Sequence, residues 1–374
     1  MGKKQKSKLL IKSEGKTLTQ AKSSTGFQPI PRASTDSTQP QHIESGISAT
    51  LQRKIAESKL AQMSDEEIIT SLFFHGIPVE QAMQAVDEVG HHPYFLASQN
   101  FWQLHQKLLS FLAIQEKLRS LSTQKTTLDR VDGLTPQEFL ESYYATNKPV
   151  ILTKQIQDWQ ALTKWDPDYL KSLCGSIPVE VQIDRQNNPN YERQKTMQEL
   201  PFGDYLDRIL AAGETNDLYM IANNQNFLRD GLEILLHDIQ LPPYLDQKSL
   251  RNSVHLWLGA AGTITPLHHD PLNILFTQIW GSKHIRLIPP TCTPWLYNYQ
   301  GVFSSVDGFQ PDFETHPLFQ QVVPYDVIIH PGEALFIPVG WWHCVRSLEV
   351  SLSLSFTNFI FPNQFDWQHP QIRP

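Results

Sequence analysis

The sequence lacks the features that mark several protein classes. Only three cysteines occur in 374 residues, Cys174, Cys292 and Cys344, and none forms a CxxC pair. An odd number of scattered cysteines argues against a disulfide framework and against a cysteine-ligated zinc site. No stretch approaches the roughly 18 apolar residues that a membrane-spanning helix needs. We therefore expect a cytoplasmic protein that does not enter a membrane.

The N-terminal segment has few large apolar side chains. Residues 1–45 hold eight Lys or Arg and three Asp or Glu, a net charge of +5. Since the whole chain has a net charge of −7, residues 46–374 carry −12. The segment begins MGKKQKSKLLIKSEGK, which lacks the apolar core of a secretory signal. Such a polar segment cannot offset the entropy lost on ordering, so we expect a disordered basic leader. A solubilising role is favoured over a tail that binds a partner or nucleic acid.

Residues 46–122 show helical periodicity and predict a helical subdomain. A capping-box sequence at 64–67 begins one helix, a second is predicted at 78–89 and ended by Gly90, and a third runs from about 98 to 121. The third helix carries an apolar stripe formed by Phe101, Leu104, Leu108, Phe111, Leu112 and Leu118. A stripe of this kind indicates core packing or a homodimer surface rather than a ligand site.

The composition changes at about residue 130, and the segment 130–374 is predicted to be one domain. Short strands separated by Gly and Pro predominate there, which is typical of a jelly-roll or cupin barrel, a double-stranded β-helix. The expected fold is therefore mainly β, with flanking helices. The predicted strands lie at 149–152, 179–183, 218–222, 253–258, 263–269, 273–280, 284–288, 326–330, 334–337, 342–348 and 350–360.

Two possible metal ligands lie close together in one predicted strand. In Thr265-Pro266-Leu267-His268-His269-Asp270, the side chains of His268 and Asp270 share one face because side chains alternate along a strand. Two histidines and one carboxylate, with open positions opposite them, suit non-haem iron(II). His-x-Asp alone is weak evidence, since the pattern is short.

His343 is the candidate for the third ligand. It follows Phe336-Ile337-Pro338-Val339-Gly340-Trp341-Trp342 and lies 75 positions after His268. Taken alone, His343 is better interpreted as an ordinary core histidine than as a ligand. A structural zinc site is disfavoured, because closed zinc sites take four N or S ligands.

These motifs together resemble the JmjC-type cupin-like oxygenases, especially their small hydroxylase branch. Thr265-Pro266-Leu267-His268-His269-Asp270 matches the family pattern T/S-P-x-H-x-D, Gly281-Ser282-Lys283 matches G-x-K, and Trp342-His343 matches the late W-H. The similarity begins near Gln137–Leu152 and extends to about residue 362. The resemblance implies that His268, Asp270 and His343 bind iron(II) and act in catalysis.

The resemblance also implies a set of contacts to 2-oxoglutarate, the family's co-substrate. Lys283 corresponds to the lysine that pairs with its distal carboxylate, and Thr265 to a hydroxyl that binds the same group. Tyr219 resembles a tyrosine that some members use for this purpose. Asn358 matches an asparagine found near the co-substrate in some relatives.

One position departs from the family pattern. Many relatives carry an asparagine four positions after the aspartate, where this chain has Ile274, with Asn273 one position earlier. Either a bulge re-aims Asn273 toward the co-substrate or the hydrogen bond is absent. Asn273 is kept as a candidate.

The resemblance implies a dioxygenase that consumes 2-oxoglutarate and O2 and hydroxylates a substrate. A protein or peptide side chain is the preferred substrate. An RNA or small-molecule substrate is the second hypothesis, and a catalytically inert cupin-like binding module is the third, because a fold alone does not imply a function.

Overall fold

A computed structural model of the chain describes residues 48–122, 126–185, 197–221, 226–299 and 301–367. The predicted basic leader, residues 1–45, lies outside the described residues. The chain divides into two compact units, Met1–Leu96 and Ala97–Pro374. The domain limits predicted from the sequence, 46–122 and 130–374, stay a prediction. The boundary between the two compact units lies within a helix.

The first unit is helical. Its helices are α1 Ala49–Leu60, α2 Asp65–Phe74 and α3 Val79–His91, and α4 Pro93–Ser120 begins in it. α2 begins with the predicted capping box, in which Ser64 and Glu67 each bond to the other's backbone N–H. The core of this unit consists of Ile55, Ile68, Leu72, Ala82, Ala85, Val86, Val89 and Phe95.

Three details of the helical prediction were wrong. The helix α1 was not predicted, and α3 continues through Gly90, which was expected to end it. Gly90 lies against the ammonium end of the Lys59 side chain. α4 begins at Pro93 rather than near residue 98, because proline is well suited to the first position of a helix.

The second unit contains thirteen strands among the described residues. They are β1 Asp129–Val131, β2 Val150–Leu152, β3 Pro178–Gln182, β4 Met197–Pro201, β5 Tyr219–Met220, β6 Val254–Gly259, β7 Ile264–His269, β8 Ile274–Trp280, β9 Lys283–Ile288, β10 Tyr325–Ile329, β11 Ala334–Ile337, β12 Trp342–Ser347 and β13 Ser351–Phe356. The strands predicted from residue 253 onward are confirmed to within a few residues. Of the strand expected at 218–222, the described residues 218–221 show strand at Tyr219–Met220.

Short helices connect the strands of the second unit. The α-helices are α5 Pro136–Phe139, continued by a π turn at Leu140–Tyr144, α6 Ala161–Lys164, α7 Pro167–Cys174, α8 Phe202–Ala211 and α9 Leu250–Ser253. Turns of 3-10 helix occur at Asn226–Leu228, Leu232–Asp238, Gln247–Ser249, Pro290–Trp295 and Pro317–Gln321. No helix in the described ranges is both long and apolar enough to cross a membrane.

The strands form two sheets. The larger has the order β1-β2-β11-β8-β13-β6-β5-β3-β4 and the smaller the order β10-β9-β12-β7, with all pairs antiparallel except β1 with β2. Seven of the eleven neighbouring pairs join strands that are not consecutive in the sequence, as in a jelly roll. The predicted fold class, a mainly β jelly-roll barrel with flanking helices, is confirmed.

An apolar cluster joins the inner faces of the two sheets. It includes Phe276 and Leu335 from the larger sheet and Ile285, Val327 and Val345 from the smaller one. We call it the interior cluster. Side chains that pack on it therefore face the inside of the barrel, and this identifies the strand positions that can contribute to a site there.

Candidate metal centre

The strand register brings His268 and His343 together. β7 and β12 are antiparallel neighbours, and His343 lies directly opposite His268. Opposing residues of an antiparallel pair project from the same face. Asp270 follows β7 by one residue, and the N–H of Gly340 donates to its carbonyl at 3.0 Å, which ties the Asp270 loop to the start of β12.

The ligand atoms of these three residues converge. His343 Nε2 lies 3.5 Å and His268 Nε2 3.7 Å from Asp270 Oδ2, and all three ligand atoms lie within 4.8 Å of one another. An ion held at about 2.1 Å by ligands at right angles needs ligand separations of about 3 Å. The group therefore fits one ion after a small contraction. We call His268, Asp270 and His343 the metal cluster, and within the described ranges it is the one His, Cys, Asp or Glu group with this geometry.

Backbone carbonyls fix both imidazole rings. Nδ1–H of His268 donates to the carbonyl of Pro266 at 2.8 Å, and Nδ1–H of His343 donates to the carbonyl of Trp341 at 3.1 Å. These bonds place the proton on Nδ1 and leave the Nε2 lone pair directed at Asp270. Partners of this kind are characteristic of metal-ligating histidines, because they set the tautomer and the ring orientation.

Electrostatics keep the ring of His343 neutral. Burial, reinforced by the neighbouring His268, lowers the pKa of His343 to about 4, although Asp270 opposes the shift. The residue is 5% exposed. A metal ligand must be deprotonated, so His343 is in the ligating form at neutral pH without the help of an ion.

A second polar group lies on the inner wall of the barrel. Lys283 is 0% exposed at the start of β9, its Nζ lies 3.3 Å from Tyr219 Oη, and its ammonium lies 5.4 Å from the ring centres of Tyr219 and Phe276. Among the residues the structure describes, this ammonium has no acidic partner. An unpaired buried charge is costly, so the position is suited to an anionic ligand.

A β-bulge directs Thr265 into the same space. His343 pairs with His268 and Val345 with Thr265, so between these pairs two residues of β7 lie opposite one residue of β12. Val345 belongs to the interior cluster, and Thr265 therefore faces inward together with His268. Its Oγ1 is buried and has no hydrogen-bond partner in the described part of the chain. We call Lys283, Tyr219 and Thr265 the lysine pocket.

Asn273 does not face this space. Its Oδ1 accepts from the N–H of Val339 at 2.8 Å, and its Nδ2 donates to Asn363 Oδ1 at 3.0 Å. Ile274, the next residue, packs on the interior cluster. The sequence left two alternatives, a bulge that directs Asn273 toward the co-substrate or the absence of that hydrogen bond. The contacts favour the second, because the amide of Asn273 is already hydrogen-bonded to Val339 and Asn363.

Asn358 also has a structural contact. It lies two residues beyond β13, with Nδ2 donating to the carbonyl of Asp246 at 2.7 Å, while its buried Oδ1 has no partner among the described residues. These contacts give no support to a co-substrate role for Asn358.

Sequence reasoning missed His255. It lies on β6, two residues before Trp257, which packs on the interior cluster and donates from Nε1 to Ser355 Oγ at 2.9 Å. Strand alternation therefore places His255 on the inner face as well. Burial lowers the pKa of His255, and the charge of Asp270 partly opposes this shift. The alternation within the predicted strand 253–258 was the signal that could have identified it.

Comparison with known proteins points to one family. A family model described as a cupin-like domain matches residues 136–366, more than half of the chain. Lysine-specific demethylase JMJ30 of Arabidopsis thaliana is 36% identical over 250 residues, which cover 64% of this chain and 57% of that protein. Jumonji C domain-containing protein 5 of Drosophila melanogaster is 32% identical over 249 residues, covering 63% and 60%.

A third relative has a different kind of name. The tRNA wybutosine-synthesizing protein 5 of Gallus gallus is 30% identical over 241 residues, which cover 60% of this chain and 74% of that protein. The match spans about three fifths of the length of the two relatives named first. The family match at residues 136–366 lies in the barrel unit, and the names of these relatives include two different substrate classes.

Proposed function

Because the chain belongs to the family of JmjC-type cupin-like domains, as its sequence predicted, we propose that it is an iron(II)- and 2-oxoglutarate-dependent oxygenase. The family uses both iron(II) and 2-oxoglutarate. The single observation that carries the proposal is the buried Lys283, without an acidic partner among the described residues, in the same barrel as the metal cluster. An inert binding module has no physical need for both features, because each is costly without its ligand.

The chain's own residues fit both groups. His268 Nε2, His343 Nε2 and an oxygen of Asp270 would hold iron(II) on one side and leave the other side open. Lys283, Thr265 and Tyr219 would bind the distal carboxylate of 2-oxoglutarate, since an ammonium and two hydroxyls are suitable donors for it. Bound iron(II), 2-oxoglutarate and O2 together supply the oxidising power that hydroxylates a C–H bond.

The remaining inner side chains exclude water. Trp257, Phe276 and Ile274 line the barrel beside the lysine pocket. A dry environment strengthens the interaction between Lys283 and a carboxylate, because the effective dielectric constant is lower than in water. Phe303 is half-exposed with its ring 5.7 Å from that of His268, so it is near enough to contact a substrate bound beside the metal cluster.

A protein or peptide side chain is the substrate that we propose. Outside residues 1–45 the chain carries −12, which disfavours a polyanion on the barrel surface. Two of the relatives described above carry names that refer to lysine demethylation or to a Jumonji domain. Hydroxylation of a side chain and hydroxylation of an N-methyl group, the first step of demethylation, need the same arrangement of residues.

RNA is the second candidate, because one relative is named for tRNA wybutosine synthesis. The experiment that separates the two incubates the full chain with iron(II), 2-oxoglutarate and O2, and with either a peptide pool or total tRNA. Succinate formation and a mass gain of one oxygen atom, or loss of a methyl group, are measured in each arm. The Asp270→Ala variant, treated identically, is the control. A protein that forms no succinate under any of these conditions would refute the proposed function.

A further inference from the structure

One side of α4 packs on the barrel unit. Glu116 is buried, accepts a hydrogen bond from Thr291 Oγ1 at 2.8 Å and pairs with Arg119. Arg119 in turn donates to Tyr325 Oη at 3.3 Å and lies over the ring of that tyrosine, 5.4 Å from its centre. The partly buried residues Trp102, Leu109 and Leu112 continue this side toward the start of the helix.

A different side of α4 carries large apolar residues that no other part of the described chain covers. Phe101, Leu104, Leu108, Phe111 and Leu118 are each more than half exposed, the first of them 73%. Together with Gln115, the one polar residue of the set, these residues are spaced alternately by three and four positions along the helix. This is the period of a coiled-coil seam, and we call these six residues the α4 seam. A helix that packs against its own chain on one side only is polar on the other sides. An additional apolar side, the α4 seam, therefore indicates a second contact.

The charge of the segment selects the kind of partner. Residues 97–115 contain no Asp or Glu, and Lys107 is their only Lys or Arg. A nucleic acid, a charged membrane surface or a highly charged protein would find little electrostatic attraction there. The seam is suited to another apolar helix.

The spacing of the seam is the same in both directions along the helix. If two copies of α4 pack antiparallel about a two-fold axis between Leu108 and Phe111, Leu108 lies opposite Phe111 of the second copy. In the same register Phe101 lies opposite Leu118 and Leu104 opposite Gln115. Every seam position then meets a seam position, which is the self-complementarity that a two-fold interface requires.

We propose that the α4 seam is a homodimer interface in which two α4 helices pack antiparallel. The exposed apolar surface is large enough for this. With about half of each large side chain exposed, the seam and the adjoining Ile114 and Leu121 present on the order of 700 Å2 per chain. Two copies would bury about 1,400 Å2, within the range of about 1,200–2,000 Å2 for stable interfaces.

The first test measures the mass of the full chain by light scattering at micromolar concentration. We expect a dimer for the wild type and a monomer for Leu108→Glu, because a charge would be buried against Phe111 of the second copy. Gln106→Glu is the matched control on an exposed position of the same helix and should remain a dimer. Circular dichroism of both variants verifies that α4 and the barrel are folded.

The second test identifies the register. Phe101→Lys and Leu118→Glu should each weaken the dimer by at least tenfold. The double variant should regain it, because the ammonium introduced at position 101 then faces the carboxylate introduced at position 118 of the second copy. A parallel pair would place like charges opposite each other and would not be restored. Failure of the double variant to dimerise would overturn the antiparallel arrangement.

Two further results would overturn the proposal. One is a monomeric wild type, and the other is a Leu108→Glu variant that remains a dimer. A chain lacking residues 1–47 distinguishes another occupant of the seam. If the full chain is a monomer and the shortened chain dimerises, the N-terminal segment covers the seam instead of a second copy.

Discussion

The two polar groups inside the barrel differ in how their atoms are satisfied. In the metal cluster each imidazole has its Nδ1–H bonded to a carbonyl, and only the Nε2 and carboxylate atoms directed at the common centre are left over. In the lysine pocket the ammonium of Lys283 has a tyrosine hydroxyl as its polar neighbour, and Thr265 Oγ1 has no hydrogen-bond partner among the described residues.

The difference reflects two kinds of ligand. A metal ion replaces protons at a few atoms whose positions must be set in advance, so the protein supplies the supporting hydrogen bonds itself. A carboxylate brings several acceptors, so the protein leaves its donors unpaired until the ligand binds. Nearby hydroxyls without this role are satisfied internally, as in the chain Ser351–Ser347–Thr263.

Removal of one metal ligand should have the largest effect. We expect Asp270→Ala to abolish succinate formation and to weaken iron(II) binding by more than about 100-fold, since loss of even a supporting partner costs roughly 10–100-fold. The thermal midpoint of the metal-free chain should change little, because the closed barrel does not depend on the ion. Asp230→Ala, at a fully exposed carboxylate, is the control. Equal metal affinity in the two variants, measured by calorimetry, would exclude the metal cluster.

Replacement of the buried lysine should separate the two groups. We expect Lys283→Met to weaken 2-oxoglutarate binding by about 10–150-fold, the equivalent of roughly 1.5–3 kcal/mol for a charge-assisted bond, and to leave metal affinity unchanged. The free energy of unfolding of the ligand-free variant should rise by about 1–3 kcal/mol, because a buried unpaired charge is removed. A loss of stability in urea titrations, with unchanged 2-oxoglutarate affinity, would identify Lys283 as a structural residue.

The parts of the site that depend on local sequence were predictable. Alternation along one strand placed His268 and Asp270 together, and the late Trp342-His343 motif identified the partner strand. The parts that depend on contacts between distant segments were not. The inward direction of Thr265 comes from a bulge against β12, and the amide of Asn273 is occupied by Asn363, 90 positions later.

The same distinction applies to the fold. The strands after residue 253 were predictable because each has a clear apolar pattern and a Gly or Pro boundary. The continuation of α3 through Gly90 was not, because a glycine signals the end of a helix locally, whereas the packing of α3 through Val86 and Val89 in the core of the first unit is a tertiary effect. The sequence likewise revealed the apolar stripe of α4 but could not assign its residues to the barrel side or to the exposed side.

The stability of the metal-free chain should depend on pH through His343. Its pKa is about 4 in the folded state and about 6.5 when unfolded, so the unfolded state binds more protons between these values. His343 should therefore remove about 3 kcal/mol of stability as the pH falls from 6.5 to 4. Urea titrations in the presence of a chelator, compared with His343→Gln, isolate this contribution. Parallel stability curves for the two proteins across this range would show that His343 is not buried in its neutral form.

The smallest effect is expected at Thr265, and it tests the unsatisfied hydroxyl directly. Thr265→Val keeps the shape of the side chain and removes Oγ1, so 2-oxoglutarate affinity should fall by about 2–13-fold, the equivalent of roughly 0.5–1.5 kcal/mol for one hydrogen bond. Ligand-free stability should not fall, because the hydroxyl has no partner to lose among the described residues. Thr265→Ser retains the donor and should bind 2-oxoglutarate nearly as the wild type does. If the valine and serine variants bind it equally, the hydroxyl does not contact the co-substrate, and the lysine pocket is reduced to Lys283 and Tyr219.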